Sequence, residues 1–512
     1  MEYNVQLLIV MITYMTLLIG WGIYQGRKVK TSSDFAIAGR KLPGWVAALS
    51  ERATGESSWA LLGLPGAAYA TGLMEIWTAI GCVAGILFAW IFLAWRLREE
   101  AAKYKTDTFT DYIAKRHGET GKWIRIAGSS TIVFFFFFYV GAQFIGGGKT
   151  LENLFGIDII WGMLLVVLLV VPYTIYGGFR SVTYTDVIQA VLMIITLIIA
   201  PIAGIIYIAN QPEGSIFAGS ISEALAKAGE SYSTMTGGAV LIEGSDLSDA
   251  LHSIFPNSLG IIKGLGTGII IAGAFSWFFG YLGGQPQLSM RFMAISDAKQ
   301  AKHARNIGVL WTVIAYIGAL MIGWIGIAVF GPKGLEDQET VMPEVLTTLF
   351  NPLLAGILIT GVLAAIISTA NSLLILSATE LSENLIKPLS KKKDVKNALF
   401  QSRLITGILA IVALLLAYLI PSGLIYTIVG YVWAGIGSTF SIVILLTLFW
   451  KRFHGIPALL TIITGLAFTI VWISTGLDKI ITARFMTFIV AFFVAVVSTY
   501  LIPKRQIKKT DD

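Results

Sequence analysis

The chain reads as an all-α polytopic membrane protein, and three observations carry that reading. Of its 512 residues, 56% are hydrophobic and only 13% are charged, about half the charge of an ordinary soluble domain. Thirteen apolar segments are each long enough to cross a bilayer. Basic residues gather in every second connection between them, on one side of the membrane, as the positive-inside rule requires. The single cysteine, Cys82, excludes an intramolecular disulfide framework, and four scattered histidines leave no zinc or redox centre. A pI near 9.2 would suit nucleic acid, but here the basic residues flank hydrophobic spans and fix topology instead.

The apolar segments fall at 5–25, 43–73, 75–96, 123–147, 157–177, 182–208, 263–284, 306–330, 352–377, 400–420, 423–450, 455–475 and 481–502. The N-terminus MEYNVQ has no lysine or arginine, whereas the first connection holds Arg27, Lys28, Lys30, Arg40 and Lys41. The N-terminus is therefore predicted outside and that loop inside. The first span lacks the basic lead of a signal peptide. Thirteen spans from an outside start place the connections near 97–122, 178–181, 285–305, 378–403 and 451–454 inside, with the C-terminus. Those regions and the first loop hold about 30 of the 37 Lys and Arg, and the outward loops about six. The long outward connection 209–261 is an extracellular loop, with Ser220-Ile221-Ser222-Glu223 resembling a capping box. Residues 503–512 form a charged cytoplasmic tail, and 1–512 make a single transmembrane domain.

The second span breaks the apolar rule. Ser50-Glu51-Arg52-Ala53-Thr54-Gly55-Glu56-Ser57-Ser58 puts three charges and a glycine at mid-depth. Lipid supplies no partner for such groups, so the span is predicted to be a discontinuous helix buried in protein or lining a wet cavity. A second polar, glycine-interrupted span lies five spans later, at 263–284, running on to Arg291. An odd offset inverts the membrane orientation, as a five-plus-five inverted repeat of spans 2–6 and 7–11 requires.

Several residue sets suggest chemistry. Ala365, Ser368 and Thr369 share one helical face, and Ser368, Asn371 and Ser372 repeat the spacing. Such oxygens are hard ligands, and with little formal charge they favour a monovalent cation; packing between membrane helices is the other reading. Tyr139 follows the run Phe134–Phe138, and Trp277 and Tyr281 stand one turn apart. These aromatics either wall a compact solute or pack. Asp186, after Thr185, either caps a helix or lies on an ion exit route. Glu56 pairs with Arg52 if the helix continues between them, whereas a break at Thr54-Gly55 would turn it toward the cavity.

At these residues the chain resembles the sodium:solute symporter family, most closely its sodium/proline symporters. The resemblance rests on Ser57, Trp59, Leu61 and Gly63-Leu64-Pro65-Gly66, on Gly177-Gly178-Phe179 with Thr185-Asp186 and Gln189, on Gly280-Tyr281 through Gln285-Pro286 to Arg291-Phe292-Met293-Ala294, and on Gly361-Val362-Leu363-Ala364-Ala365 through Ser368-Thr369. It covers about residues 5 to 450. It implies a leucine-transporter-like fold, alternating access and sodium-coupled uptake across the cytoplasmic membrane. It further implies a sodium site from backbone oxygens of Ala53, Glu56 and Ala365 with the hydroxyls of Ser368 and Thr369. A second sodium site of some members corresponds to Asp186, Ser368, Asn371 and Ser372. The solute pocket corresponds to Tyr139, Trp277 and Tyr281, with Ser57 in the broken span. Gly55 departs from the acid that the proline members carry there, and the Tyr281 to Pro286 interval is one glycine longer.

The expected function is import of a small solute, best matched by proline or a related amino acid. Sodium is the coupling ion, with no organic cofactor, nucleic-acid partner or obligate protein partner. A pantothenate, other carboxylate or sugar symporter, a proton-coupled carrier using Glu56, and a membrane sensor domain are the alternatives. Enzyme chemistry is not expected, since no nucleophile, base and metal set is present.

Overall fold

The computed structural model describes residues 3–235, 272–389, 395–419 and 423–503. The principal helices are α1 (Tyr3–Gly26), α2 (Gly44–Ser58), α3 (Leu64–Thr71), α4 (Ile76–Phe88), α5 (Ala94–Lys103), α6 (Phe109–Arg116), α7 (Gly121–Phe155) and α8 (Ile159–Ala209). They are followed by α9 (Pro286–Ala294), α10 (Ala298–Phe330), α11 (Pro352–Thr379), α12 (Val395–Leu419), α13 (Ile425–Val432), α14 (Thr439–Phe449), α15 (Gly455–Ser474) and α16 (Ala483–Leu501). Wider π-type turns join α2 to α3, α4 to α5 and α13 to α14, and one extends α11 through Glu380–Ile386.

Among the described residues ten stretches are long and apolar enough to span a membrane. Two of these double back. Leu42 N–H donates to the Ala294 carbonyl (3.1 Å), and Arg98 donates to the carbonyls of Ile295 and Ser296, so both ends of the 44–103 stretch meet one segment. The reversal is at Gly72, where φ is 66°. In α8 the reversal is at Gly178, whose φ of 55° and ψ of −158° suit glycine, and where a Cβ would strike Phe35. Thr174 accordingly reaches Asn371 near one end of α11, while Thr196 reaches the Leu358 carbonyl (2.9 Å) near the other. The described residues thus make twelve crossings. The expected thirteenth, 263–284, has residues 263–271 outside the described residues. Its described part is discontinuous, with one helical turn at Trp277–Gly280 and then non-helical backbone to Gln285 before α9.

Helix α11 is the core. Every residue from Leu358 to Glu380 is buried, as expected for a helix apolar nearly all round. It packs against α1, α2, α7 and α8. The broken α2–α3 element is enclosed as completely, with every residue from Ser50 to Tyr69 buried. The capping box predicted at Ser220 forms in part, as Ser220 Oγ accepts the Glu223 N–H at 3.3 Å and starts a short helix.

Close backbone approach sets the second break. A Cβ on Gly284 would overlap the Gly437 carbonyl and the Ser441 N–H, both backbone groups that cannot swing aside. Gly284→Ala is expected to cost about 1–3 kcal/mol or more, read as a lower thermal midpoint and less monodisperse protein in detergent. Gly20→Ala, with nothing within 4 Å of its Cβ, should change neither.

Candidate solute and ion sites

The first break lies at Ser57, where φ is 51° and ψ is −168°, not at Thr54-Gly55. A non-glycine residue holds such a φ only when its surroundings enforce it. Ser58 N–H goes to Gln143 Oε1 (3.0 Å) and Trp59 N–H to Ser57 Oγ (3.1 Å), so the helical ladder is interrupted. The carbonyls before the break take other donors. Ser368 Oγ donates to Ala53 O (2.8 Å), and Thr369 Oγ1 donates to Thr54 O (2.9 Å). The Trp59 indole donates to Gly55 O (3.2 Å), and the Trp59 N–H also reaches Glu56 O.

The structure therefore brings Ala53, Ala365, Ser368 and Thr369 together, since Ser368 Oγ also lies 3.0 Å from the Ala365 carbonyl. These are hard, uncharged oxygens of the kind a monovalent cation uses. The Glu56 carbonyl is turned to Trp59 and does not join them.

The other predicted ion set is organised differently. Asp186 Oδ2 accepts from Ser50 Oγ (2.6 Å) and pairs with Arg291 Nη2 (3.2 Å). Arg291 also reaches Ser372 Oγ (2.5 Å), Thr54 Oγ1 (2.8 Å) and Ser50 Oγ (3.1 Å), with its guanidinium over the Phe179 ring. A guanidinium thus sits amid the oxygens of Asp186 and Ser372. Asn371 faces away from them, bonded to Tyr173 and Thr174. Ser368 belongs to the first set.

The four predicted solute residues converge. Tyr139 OH donates to Ser57 Oγ (3.1 Å). Trp277 stacks on Trp59 at 4.3 Å between centroids and 10° between planes, and Tyr281 OH lies 3.3 Å from Tyr316 OH. Trp433 meets Tyr139 and Tyr281 at 5.3 Å each and Trp277 at 5.9 Å. Tyr426 OH accepts from the Trp277 indole (3.2 Å), and Arg484 stands over the outer Trp277 face. The Trp59–Trp277 stack leaves no gap for a solute, so these rings close the site. Buried polar atoms without partners remain at Ser58 Oγ, Gln143 Nε2 and Trp433 Nε1. Gln143 is one turn beyond Tyr139 on α7, and Trp433 packs on Tyr139, so these groups stand where a polar solute could use them.

Because α2 stays helical to Glu56, Arg52 does pair with it, Nη1 to Oε1 at 2.9 Å. Arg52 also holds Glu51 through two bonds and Thr312 through one, and Trp90 donates to Glu51 (3.2 Å). All three charged side chains are no more than 2% exposed. Removing the arginine would leave two buried carboxylates. Arg52→Gln is expected to destabilise by about 3–5 kcal/mol, the scale for breaking a buried pair. Glu56→Gln leaves Arg52 and Glu51 neutral as a pair and should retain near-normal abundance, both read by fluorescence-detected gel filtration.

The sequence matches the model of the sodium:solute symporter family over residues 35–465. It is 34% identical to the high-affinity proline transporter PutP of Bacillus subtilis over 90% of each chain, and 34% identical to the osmoregulated proline transporter OpuE of that organism over 90% of this chain and 87% of the relative. A sodium/proline symporter of Staphylococcus aureus is 32% identical over 98% and 93%. The fold matches that of a Na+-coupled sialic acid symporter in a substrate-bound outward-open state, with a TM-score of 0.77, 19% identity and coverage of 99% and 100%. It also matches Mhp1, a nucleobase-cation-symport-1 family transporter in a closed conformation, with a TM-score of 0.55, 13% identity and coverage of 91% and 92%. The fold is the leucine-transporter-like one, with paired discontinuous helices, and the chain is a multi-pass membrane transporter, not an enzyme. From the family match across most of its length and its identity to the curated relatives, this chain belongs to the sodium:solute symporter family.

Proposed function

We propose that the protein imports proline with one Na+, across the plasma membrane, by alternating access. The observation that carries this reading is the seating of the Ser368 and Thr369 hydroxyls on the carbonyls of the α2 break, beside an aromatic cluster that includes Tyr139, Trp277 and Tyr281. The named proline transporters among the relatives support the solute. Sodium takes the place of hydroxyl protons, bound by Ala53, Ala365, Ser368 and Thr369. The Glu56 carbonyl completes the set once the Trp59 N–H releases it. With Arg291 amid the Asp186 oxygens, a second cation there meets a fixed positive charge. The solute enters when the Trp59–Trp277 stack parts, between Trp277, Tyr281, Tyr139 and Ser57. A potential of about 100 mV supplies roughly 2.3 kcal/mol per inward charge. The N-terminus is outside and the C-terminus inside, with 209–261 an external loop and 503–512 a cytoplasmic tail, as the basic loops require.

Two measurements test this in proteoliposomes under an inward sodium gradient with radiolabelled proline. Ser368→Ala with Thr369→Ala should raise the sodium concentration for half-maximal uptake roughly tenfold or more, on the order of 1.4 kcal/mol; an unchanged sodium dependence removes the site. Trp277→Ala should weaken solute binding by about tenfold or more while leaving Na+ binding without solute within about twofold, because an aromatic wall is no hard-ion ligand. Equal loss of both ligands would point to a folding defect instead.

A further inference from the structure

A second group of hard oxygens lies farther along α11, away from the sites above. Glu380 is fully buried and accepts from Ser129 Oγ (2.7 Å), Asn384 Nδ2 (2.6 Å) and Thr110 Oγ1. Its other oxygen, Oε1, has no partner, and among the described residues no lysine or arginine pairs with it. The Asn384 amide nitrogen also lies 2.9 Å from Thr108 Oγ1, 2.9 Å from Thr110 Oγ1 and 3.1 Å from Ser129 Oγ. It therefore faces four oxygens with two hydrogens. Half a turn of that amide about its Cβ–Cγ bond would present Oδ1 to the same centre in place of Nδ2. The carboxylate then sits with one amide and three hydroxyl oxygens around a point that bears no compensating charge. A buried carboxylate is accommodated by a counter-charge or by a proton, and five hard oxygens with one formal charge suit a monovalent cation better than Ca2+ or Mg2+.

Position adds a second argument. Thr369 and Glu380 are eleven residues apart on one unbroken helix, which is about three turns and about 17 Å, so both lie on nearly the same face. The π-type turn that begins at Glu380 widens the helix at this point. A cleft of about 270 Å³ reaches Thr108 and Asn384, and charges of both signs line the rest of it, among them Lys105, Lys387, Asp107 and Glu383.

We propose that Glu380, Asn384, Thr108, Thr110 and Ser129 form a monovalent-cation site through which Na+ passes after leaving Ser368 and Thr369. This rests on the sodium-symport reading and adds a release station to it. The site faces the interior, so it governs how internal Na+ slows uptake. In proteoliposomes loaded with graded internal NaCl, Glu380→Gln should raise the internal Na+ that halves proline uptake by about tenfold, and external half-saturation should move less than twofold. Ser129→Ala, which removes one neutral ligand and keeps the charge, should give a smaller shift of the same sign and decides the matter if Glu380→Gln does not fold. Unchanged sensitivity to internal Na+ in either folded variant overturns the proposal, leaving a protonated, structural Glu380. Equal shifts on both sides overturn it too, since the Ser368 site would then be what moved. Wild-type protein without sodium-driven uptake would instead overturn the symport reading itself.

Discussion

The structure depends on how one interrupted helix satisfies its backbone where water is absent. Breaking α2 at Ser57 frees carbonyls that lipid cannot solvate, and each unsatisfied group would cost several kcal/mol. All four carbonyls from Ala53 to Glu56 have a donor, two from α11 hydroxyls and two from Trp59. The break is stable because α11 is buried beside it and carries Ser368 and Thr369 at the matching height. A cation can replace those donors only because they are hydroxyls, whose protons can turn away while their oxygens stay in place. The same contact that holds the fold closed is therefore the one a sodium ion can take over.

Charge burial follows from that arrangement. Glu51, Arg52 and Glu56 lie on or next to one face of α2, and Asp186 with Arg291 lies across from it, all essentially unexposed. Each arginine serves several oxygens through its planar fork, which a lysine could not do. The five groups carry one net negative charge, so the centre of the bundle attracts a cation over a longer range than the uncharged ligands of the Ser368 set could alone. In the proposed site the neutral ligands would give the ion its coordination, and the surrounding carboxylates would supply the attraction.

Much of this was legible in the sequence. Span positions followed from hydropathy, and the polar midsections of two spans marked both discontinuous elements before any packing was known. Ser368 and Thr369 are visible from helical spacing, as are the aromatics Tyr139, Trp277 and Tyr281, which the family resemblance then assigns to a solute pocket. What remained hidden depended on tertiary partners. Gly55 is the residue whose freedom suggests a break, yet the break is at Ser57, since Gln143 and the Ser57 hydroxyl itself accept the two amides that follow it. Arg291 looks like one more basic loop residue fixing topology, and only the approach of Asp186 and Ser372 shows it to be buried. Tyr316 comes from span 306–330, and Tyr426 and Trp433 from span 423–450, so no local period groups them with Trp277. The resemblance to Gly280-Tyr281 supplied only one side of the aromatic cluster.

Coupling can be traced to the shortness of the shared element. The Ala53 carbonyl, proposed for the ion, and the Ser57 hydroxyl, proposed for the solute, are separated by one helical turn, about 6 Å. Ser368 bonds to the first and Tyr139 to the second, so α7 and α11 grip opposite ends of the same break. A ligand that pulls the Ala53 carbonyl toward α11 changes the backbone that positions Ser57, and a solute that displaces Tyr139 changes the carbonyls presented to the ion. Because binding free energies are linked, whatever preference sodium imposes on the solute the solute must return in equal measure to sodium. A rigid, continuous helix would separate the two sites along its face and give them no common coordinate. On the proposed reading the break at Ser57 gives them one, and the unpartnered groups at Ser58, Gln143 and Trp433 would offer the solute hydrogen bonds that the protein leaves unmade.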